Sequence, residues 1–381
     1  MFLRRLSNTA ATRVATGVGL GLASQWSNLH SENRERVEAK IMIDSMQQYF
    51  VDSLESIKLP ETGHNSKGML GPVSWLRNNG ENGGGTRFEI LDTPLFNRAS
   101  VNVSQVEYDN IQNCPVNSAT ALSVILHPRN PHAPSMHFHI SLTEPRNGKS
   151  YWRIMADLNP SIPDANDKKR FDDLFGRMIP TPLIDISKEF GDRYFYIPVL
   201  KRHRGISHLF LGEVSEDTMS DTDSRQLAHD LAKNTIELYC KLVQEQVVNH
   251  PESTITPKER QDQIDYHTVY LLQVLTLDRG TTHGLLSHNE NDVGTLGSIP
   301  NVVNRDLLVS WKSQLEEPQA ALLQNIINEL PNESNCLVDS DARQRLANVV
   351  RDHYKGNKKA LALQADMDMK WWYEQVQDIH L

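Results

Sequence analysis

The sequence is poor in cysteine and has no long hydrophobic run. Its 381 residues include three cysteines without a CxxC spacing, which cannot pair completely and are predicted to be buried or inert thiols in a reducing compartment. No apolar stretch approaches the roughly 20 residues that a membrane-spanning helix needs. The net charge of −9 argues against a nucleic-acid-binding surface and against a polybasic membrane patch.

Acidic residues are absent from the first thirty positions. There, Arg4, Arg5 and Arg13 are scattered among Ser, Thr, Ala and Leu, a composition that is typical of a mitochondrial transit peptide. The alternative is a basic tail on a bacterial protein. We predict a transit peptide over residues 1–30 and a mitochondrial location, in either the intermembrane space or the matrix. If the segment is not a transit peptide, a cytoplasmic location is expected.

From about residue 31, hydrophobic periodicity separates helices from strands. Many strands in long hairpins, with helices at both ends, predict an α+β domain on a large, mostly antiparallel sheet. A polar, Gly-rich loop is predicted from Glu61 to Thr86. Strands are predicted at 87–92, 100–106, 121–126, 136–143, 151–158, 193–200 and 269–277, and helices at 31–58, 168–178, 222–248, 311–330, 341–354 and 357–377.

The hairpin 136–158 allows its register to be predicted. A two-residue Asn-Gly loop would place Phe138 opposite Asp157, on the apolar face. A three-residue loop with Gly148 left-handed shifts every pair by one and places His137 opposite Asp157 on the polar face. We choose the second register because burying Asp157 among apolar side chains would cost several kcal/mol.

A histidine beside a carboxylate can serve as an acid–base pair, because the carboxylate raises the pKa of the imidazole. The alternative for His137 and Asp157 is a hydrogen-bonded pair on a solvated sheet. Histidines at 127, 132, 137 and 139 could also bind a metal, but an HxH spacing alone is a weak signal. We therefore predict no metal site. The basic run KRHRG, residues 201–205, is either a solvated loop or a grip for carboxylates.

Several segments resemble the oxygen-dependent coproporphyrinogen-III oxidases. The resemblance implies a large curved antiparallel sheet covered by helices, in a homodimer. It also implies conversion of two propionates of a tetrapyrrole, coproporphyrinogen III, to vinyl groups with molecular oxygen, and no organic cofactor. The segments are NGGGTRFEILDTPLFNRASVNVS (82–104), HPRNPHAPSMHF (127–138), ADLNP (156–160), RYFYIP with RGI (193–206) and LDRGTTHGL (277–285).

The resemblance implies roles for individual residues. His137 matches the proton-donor histidine, Asp157 the aspartate that contacts pyrrole N–H groups, and Arg204 an arginine near the substrate carboxylates. Replacing Asp157 by alanine is then expected to lower turnover far more than stability. The other candidate substrate-binding residues are Ser123, His127, His139, Asp278 and Arg279.

Departures from the family pattern favour a second hypothesis, in which a repurposed member acts on another compound or is a non-catalytic mitochondrial binding or assembly subunit. Several expected cations and glycines are replaced. His139-Ile140-Ser141 replaces Asn-x-Arg, Arg153-Ile154-Met155 replaces three glycines, Val199 and Leu200 replace His and Arg, Arg170 replaces a His, and Asn291 replaces an Arg.

The resemblance fades after Arg305. We therefore predict a coproporphyrinogen oxidase-like domain over residues 31–306 and a helical C-terminal extension over 307–381. Trp371 and Trp372, near the end of that extension, are expected to pack against the body of the protein, with a partner-binding site as the alternative.

Overall fold

The computed structural model describes residues 34–59, 67–108, 114–215, 217–287, 291–365, 369–377 and 379. The transit peptide predicted over residues 1–30 lies outside these ranges. Within them, no helix combines the length and the apolar character that crossing a bilayer requires.

A seven-stranded antiparallel sheet forms the centre of the fold, which confirms the predicted α+β class. Counting those of the smaller sheets, the strands in the described part of the chain are β1 (Gly71–Leu76), β2 (Gly83–Leu91), β3 (Phe96–Glu107), β4 (Val116–Pro128), β5 (Ser135–Pro145), β6 (Tyr151–Asn159), β7 (Tyr196–Ile197), β8 (Arg202–His203), β9 (Ser207–Val214), β10 (Val302–Asn304) and β11 (Asn335–Leu337). The large sheet has the order β1-β2-β3-β4-β5-β6-β9, and the four shortest strands form two separate pairs.

Helices cover both faces of this sheet. They are α1 (34–55), α2 (Ala165–Met178), α3 (Thr181–Phe195), α4 (Asp221–Asn249), α5 (Pro257–Thr276), α6 (Arg279–Ser287), α7 (Asp292–Thr295), α8 (Arg305–Lys312), α9 (Gln319–Glu329), α10 (Ser340–Gly356), α11 (Lys358–Leu361) and α12 (Met369–Val376).

The predicted register of the hairpin between β5 and β6 is confirmed. His137 pairs with Asp157 and Phe138 with Ala156, and Gly148 in the turn has a φ of 109°, which only glycine adopts readily. Because side chains alternate across a strand, this register separates an apolar face from a polar face.

The apolar face packs under α1, α2 and α4. Phe138 is fully buried, and its ring centroid lies 5.6 Å from that of Phe50 in α1. Burial of one such side chain stabilises the fold by about 1.5–3 kcal/mol. The polar face is covered by α3 and α5 instead, where Tyr266 in α5 donates a hydrogen bond to Asn159 Oδ1 at 3.0 Å.

Two predicted strands are wrong because the segments are helical. Residues 269–277 lie almost wholly in α5, where every residue from Tyr266 to Thr276 is buried. A helix that is apolar on all sides shows no period of 3.6. Residues 193–200 contain the end of α3, two residues of β7 and a 3-10 turn at Pro198–Leu200. Strand β9 and helix α3 were not predicted.

The predicted loop from Glu61 to Thr86 is partly wrong, because it contains β1 and the start of β2. The glycines permit close strand packing here: a Cβ at Gly85 would lie 2.8 Å from the Trp75 ring and 2.0 Å from Val103 O. The helix predicted over 311–330 is also interrupted. Helix α8 ends before Pro318, and α9 begins directly after it, because proline cannot continue a helix.

The C-terminal helices pack onto the rest of the chain. Leu272 of α5, Leu323 of α9 and Leu346 of α10 are fully buried in one hydrophobic cluster. Helix α12 lies on α3 and β9, where Trp372 is fully buried and its ring centroid is 5.3 Å from that of Phe190. Both tryptophans contact Phe190. This confirms the prediction that they pack against the body of the protein.

Candidate active site on the polar face of the sheet

The polar face brings together His137, Asp157 and Arg204, three of the residues singled out in the sequence. His137 and Asp157 are opposite each other on β5 and β6, and His137 Nδ1 lies 2.7 Å from Asp157 Oδ1. Arg204 reaches them from the turn between β8 and β9. Its Nε and Nη2 donate to Asp157 Oδ2 at 3.1 and 2.9 Å, and Nη2 also lies 2.9 Å from Oδ1.

Two further side chains, which were not predicted from the sequence, complete the set. Asn159 donates to Asp157 Oδ2 at 2.5 Å, and Gln273 Oε1 accepts from Arg204 Nη1 at 2.7 Å. Gln273 was hidden in the segment predicted as a strand. Asn159 stands two residues after Asp157, on the same face of β6, so the period of the strand was a signal for it.

Asp157 is fully buried, and Arg204 is only 2% exposed. Burial alone would raise the pKa of Asp157, but the Arg204 guanidinium and the His137 ring outweigh that effect and hold it well below its usual range. Burial would lower the pKa of Arg204, and the Asp157 carboxylate instead raises it. The pair is therefore ionised, and the carboxylate accepts hydrogen bonds only.

An ionised Asp157 fixes the orientation of the His137 ring. The carboxylate cannot donate, so Nδ1 of His137 carries the hydrogen of their bond. Within the described part of the chain, Nε2 of His137 has no hydrogen-bond partner, and 15% of the side chain is exposed. The ring packs edge-on to Phe195 at 6.3 Å between centroids. This site therefore presents one accessible imidazole nitrogen that can take or deliver a proton.

His139, His127 and Ser123 lie on the same face but hold local contacts. Ser123 Oγ is 2.8 Å from His139 Nδ1. His127 lies between Ser135 Oγ at 2.8 Å and Ser298 O at 2.9 Å. Burial lowers the pKa of His127 to about 4. Burial and the neighbouring charges of His137 and Arg153 lower that of His139 to about 3. Both rings are therefore neutral at pH 7.

Asp278 and Arg279 stand at the start of α6 rather than beside Asp157. Asp278 Oδ2 accepts from the backbone N–H of Thr281 at 2.6 Å, which satisfies a free donor of the helix. Its Oδ1 accepts from Tyr194 at 2.9 Å. Because Tyr194 precedes Phe195, the ring against His137, α3 connects these two parts of the polar face.

The replaced family positions have partners of their own. Arg153 donates to Gly212 O at 3.1 Å and lies 3.5 Å from Glu213, so its side chain covers part of the polar face of the sheet. Arg170 pairs with Glu245 on the other side of the sheet. Asn291 accepts from Arg87 Nη1 at 2.7 Å, so a guanidinium stands beside the position where the family pattern has an arginine.

A metal centre built from side chains is not evident in the ranges that the structure describes. No group of three or more His, Cys, Asp or Glu side chains in those ranges is placed to hold an ion. The polar face instead offers His137, which has one accessible ring nitrogen, beside a buried ion pair.

The chain is similar to known proteins over most of its length. A family model described as coproporphyrinogen III oxidase matches residues 38–330. The chain is 24% identical over 302 residues to an oxygen-dependent coproporphyrinogen-III oxidase of Prochlorococcus marinus strain AS9601, covering 70% of this chain and 84% of that protein.

Two further relatives carry the same name. The mitochondrial enzyme of Rattus norvegicus is 26% identical over 270 residues, which are 64% of this chain and 58% of the rat protein. The enzyme of Rickettsia rickettsii strain Sheila Smith is 26% identical over 240 residues, which are 60% of this chain and 82% of the relative. The match of the family model extends beyond residue 306, through α8 and α9. The chain therefore belongs to the coproporphyrinogen III oxidase family.

Proposed function

We propose that the protein catalyses the oxygen-dependent oxidative decarboxylation of coproporphyrinogen III to protoporphyrinogen IX, a step of haem biosynthesis. The observation that carries this proposal is the accessible Nε2 of His137, on a ring that the buried Asp157 holds in place. The curated relatives, which are named for this reaction, support it.

The proposed reaction balances without an organic cofactor. Each reacting propionate loses CO2, and the electron pair of the broken C–C bond becomes the second bond of the vinyl group. The carbon next to the ring gives up one hydrogen with two electrons. Two propionates thus supply four electrons, which reduce one O2 to two waters together with their two hydrogens and two protons from solvent.

Within this proposal, His137 Nε2 is the atom that passes solvent protons to the oxygen as O2 is reduced beside the reacting propionate. Asp157 and Arg204 are positioning residues, because the three nitrogens of the guanidinium are all bonded inside the protein. Direct contact of Asp157 with pyrrole N–H groups, and of Arg204 with a substrate carboxylate, would each require one of these bonds to open.

Purified protein incubated with coproporphyrinogen III without oxygen, and then exposed to oxygen, tests the proposal. We expect protoporphyrinogen, detected as fluorescent protoporphyrin after chemical oxidation, and release of two CO2 per macrocycle. The variant His137→Ala is the matched negative control. If the wild-type protein forms no product while binding the macrocycle, the proposed reaction is wrong.

The second hypothesis, a repurposed member with an altered pocket, is favoured by Arg153 and Met155. Both occupy polar-face positions of β6, and Arg153 is tied to Gly212 and Glu213. These side chains narrow the space above the strand where glycines would leave it open. Absence of coproporphyrin III binding to the wild-type protein would favour this hypothesis over the oxidase.

We also infer a mitochondrial location and a homodimer. The acid-free, arginine-containing N-terminus and two mammalian relatives named as mitochondrial support the location. The homodimer rests on the family resemblance alone. Fusing residues 1–30 to a fluorescent protein tests the location, and sedimentation at micromolar concentration tests the dimer.

A further inference from the structure

Three buried arginines gather on the polar face at a distance from His137. Arg87 on β2, Arg98 on β3 and Arg343 on α10 are between 1% and 7% exposed. We call them the arginine cluster. Arg343 lies beyond the segment matched by the family model, so the C-terminal part of the chain supplies one member.

Backbone carbonyls hold much of the cluster. Arg98 Nε donates to Gly297 O at 2.9 Å, and Arg343 Nη2 donates to Ile299 O at 3.1 Å and to Asn301 Oδ1 at 2.9 Å. The carbonyl between them, Ser298 O, faces His127 Nε2 at 2.9 Å. The segment 297–299 thus brings Arg98 and Arg343 to one place.

Two guanidinium nitrogens in this place have no partner. Among the residues that the structure describes, neither Nη1 of Arg98 nor Nε of Arg343 makes a hydrogen bond, although both atoms are buried. A buried donor without an acceptor is unfavourable, more so when it is charged. Arg98 and Arg343, which carry one unpartnered nitrogen each, are the two most deeply buried members of the cluster.

The cluster also has more positive than negative charge. Burial lowers the pKa of Arg98 to about 10 and that of Arg343 to about 9, so both remain charged at pH 7. Glu89 bonds Arg87 at 2.9 Å and lies 3.8 Å from Arg98. In the described ranges, no carboxylate lies within 4.0 Å of Arg343. Three cations thus share one carboxylate within 4.0 Å, Asp339 acts on Arg343 only from a greater distance, and a second anion would relieve the imbalance.

The cluster faces the same side of the sheet as His137. Arg98 pairs with His127 across β3 and β4, and Ile125 pairs with His137 across β4 and β5. Two strand spacings, about 10 Å, therefore separate Arg98 from His137 across the sheet. Glu89, at the edge of the cluster, is partly exposed.

We infer that Arg98 and Arg343 form a binding site for a carboxylate, which a propionate arm of the substrate occupies while another arm lies at His137. The assignment to the substrate rests on the proposed function, whereas the carboxylate site does not. A guanidinium suits this ligand because its planar nitrogens match the two oxygens of a carboxylate. The cluster thereby compensates for the cation missing at Asn291.

Thermal unfolding of the full chain in sodium propionate and in sodium chloride, at equal ionic strength, tests the site. We expect propionate to raise the Tm of the wild-type protein more than chloride does, and Arg98→Met and Arg343→Met to abolish the difference. Arg345→Met is the matched control, because Arg345 lies on the same helix but is exposed and pairs with Glu329 at 3.2 Å. Arg98→Lys and Arg343→Lys, which keep the charge, should retain part of the effect and serve if the methionine variants do not fold.

Fluorescence titration with coproporphyrin III, the oxidised and unreactive macrocycle, tests the occupant. Loss of one charged hydrogen-bonding partner should weaken its binding by tenfold or more, and free propionate should compete with it. If the methionine variants bind coproporphyrin III as tightly as the wild type does, a propionate arm of the substrate does not occupy the site. The site would then bind only a free carboxylate. Equal effects of propionate and chloride, or loss of the effect in Arg345→Met, would overturn the site itself. Neither readout needs turnover, so binding without product would contradict only the proposed reaction.

Discussion

Arg204 holds Asp157 through two of its nitrogens, at 2.9 and 3.1 Å from Asp157 Oδ2, and both side chains are buried. Two charges removed from water are stable together because each is the counterion of the other. Deleting one leaves an uncompensated charge inside the protein, which costs far more than an exposed ion pair contributes. The His137 ring is thus bonded to a buried ion pair that stabilises the fold.

This pair predicts a loss of stability when Asp157 is changed. We expect Asp157→Ala to lower the free energy of unfolding by about 3–5 kcal/mol, measured by urea denaturation. The double variant Asp157→Ala/Arg204→Met should recover part of this loss, because it removes the unpaired charge. A loss below about 1 kcal/mol in the single variant would contradict the finding. The expectation from the sequence, that turnover would suffer far more than stability, did not include the burial of Asp157.

His137→Ala should behave differently. Asp157 loses the bond from Nδ1 but keeps those from Arg204 and Asn159, so the free energy of unfolding should fall by about 1–3 kcal/mol, less than in Asp157→Ala. The kcat with coproporphyrinogen III should fall by about 10²–10⁴, the usual range for an acid–base group. His132→Ala is a suitable control, since His132 pairs with Glu259 away from the site. A kcat within threefold of the wild type would exclude an acid–base role.

His127 predicts a dependence of stability on pH. Its pKa is about 4 when folded and about 6.5 when unfolded. A histidine whose pKa is lowered by folding stabilises the protein least at low pH, since the unfolded chain takes up the proton first. Between pH 7 and pH 5 this residue should cost about 2 kcal/mol. Urea denaturation at both pH values should show a smaller difference in His127→Gln, and an equal difference would contradict the assignment.

Gly212→Ala should weaken the packing of α12 against β9 and α3. A Cβ there would lie 2.8 Å from the Trp372 ring and 3.0 Å from Phe190, so one of these rings must move. We expect a loss of about 1–3 kcal/mol, with a change in tryptophan fluorescence. Gly176→Ala is the control: its Cβ would meet no atom within 4 Å, and alanine favours a helix interior by about 1 kcal/mol. Equal effects of both substitutions would show that α12 is not packed on Gly212.

The success of the prediction depended on where each segment is buried. The β5–β6 hairpin has one apolar and one polar face, so the sequence determined the pairing of His137 with Asp157. Helix α5 is buried on all sides between Tyr266 and Thr276, so its sequence has no visible period, and Gln273 was missed. The contact of Arg204 with Asp157 joins residues 47 positions apart, which no local pattern encodes. The family resemblance placed both beside the substrate but did not reveal that they bind each other.

The packing of Trp372 on Gly212 has a consequence for synthesis. Strand β9 is the last strand of the sheet, and the helix that covers its end includes Tyr373, which bonds Glu213 across 160 positions of sequence. Contacts so distant along the chain form late, after the shorter-range pairings. As a ribosome releases the chain from its N-terminus, the β-hairpins can form early, but this end of the sheet must wait for α12 (Met369–Val376). The nascent protein therefore exposes Phe190 and the edge of β9 until α12 has left the ribosome, and this is the segment a chaperone would encounter.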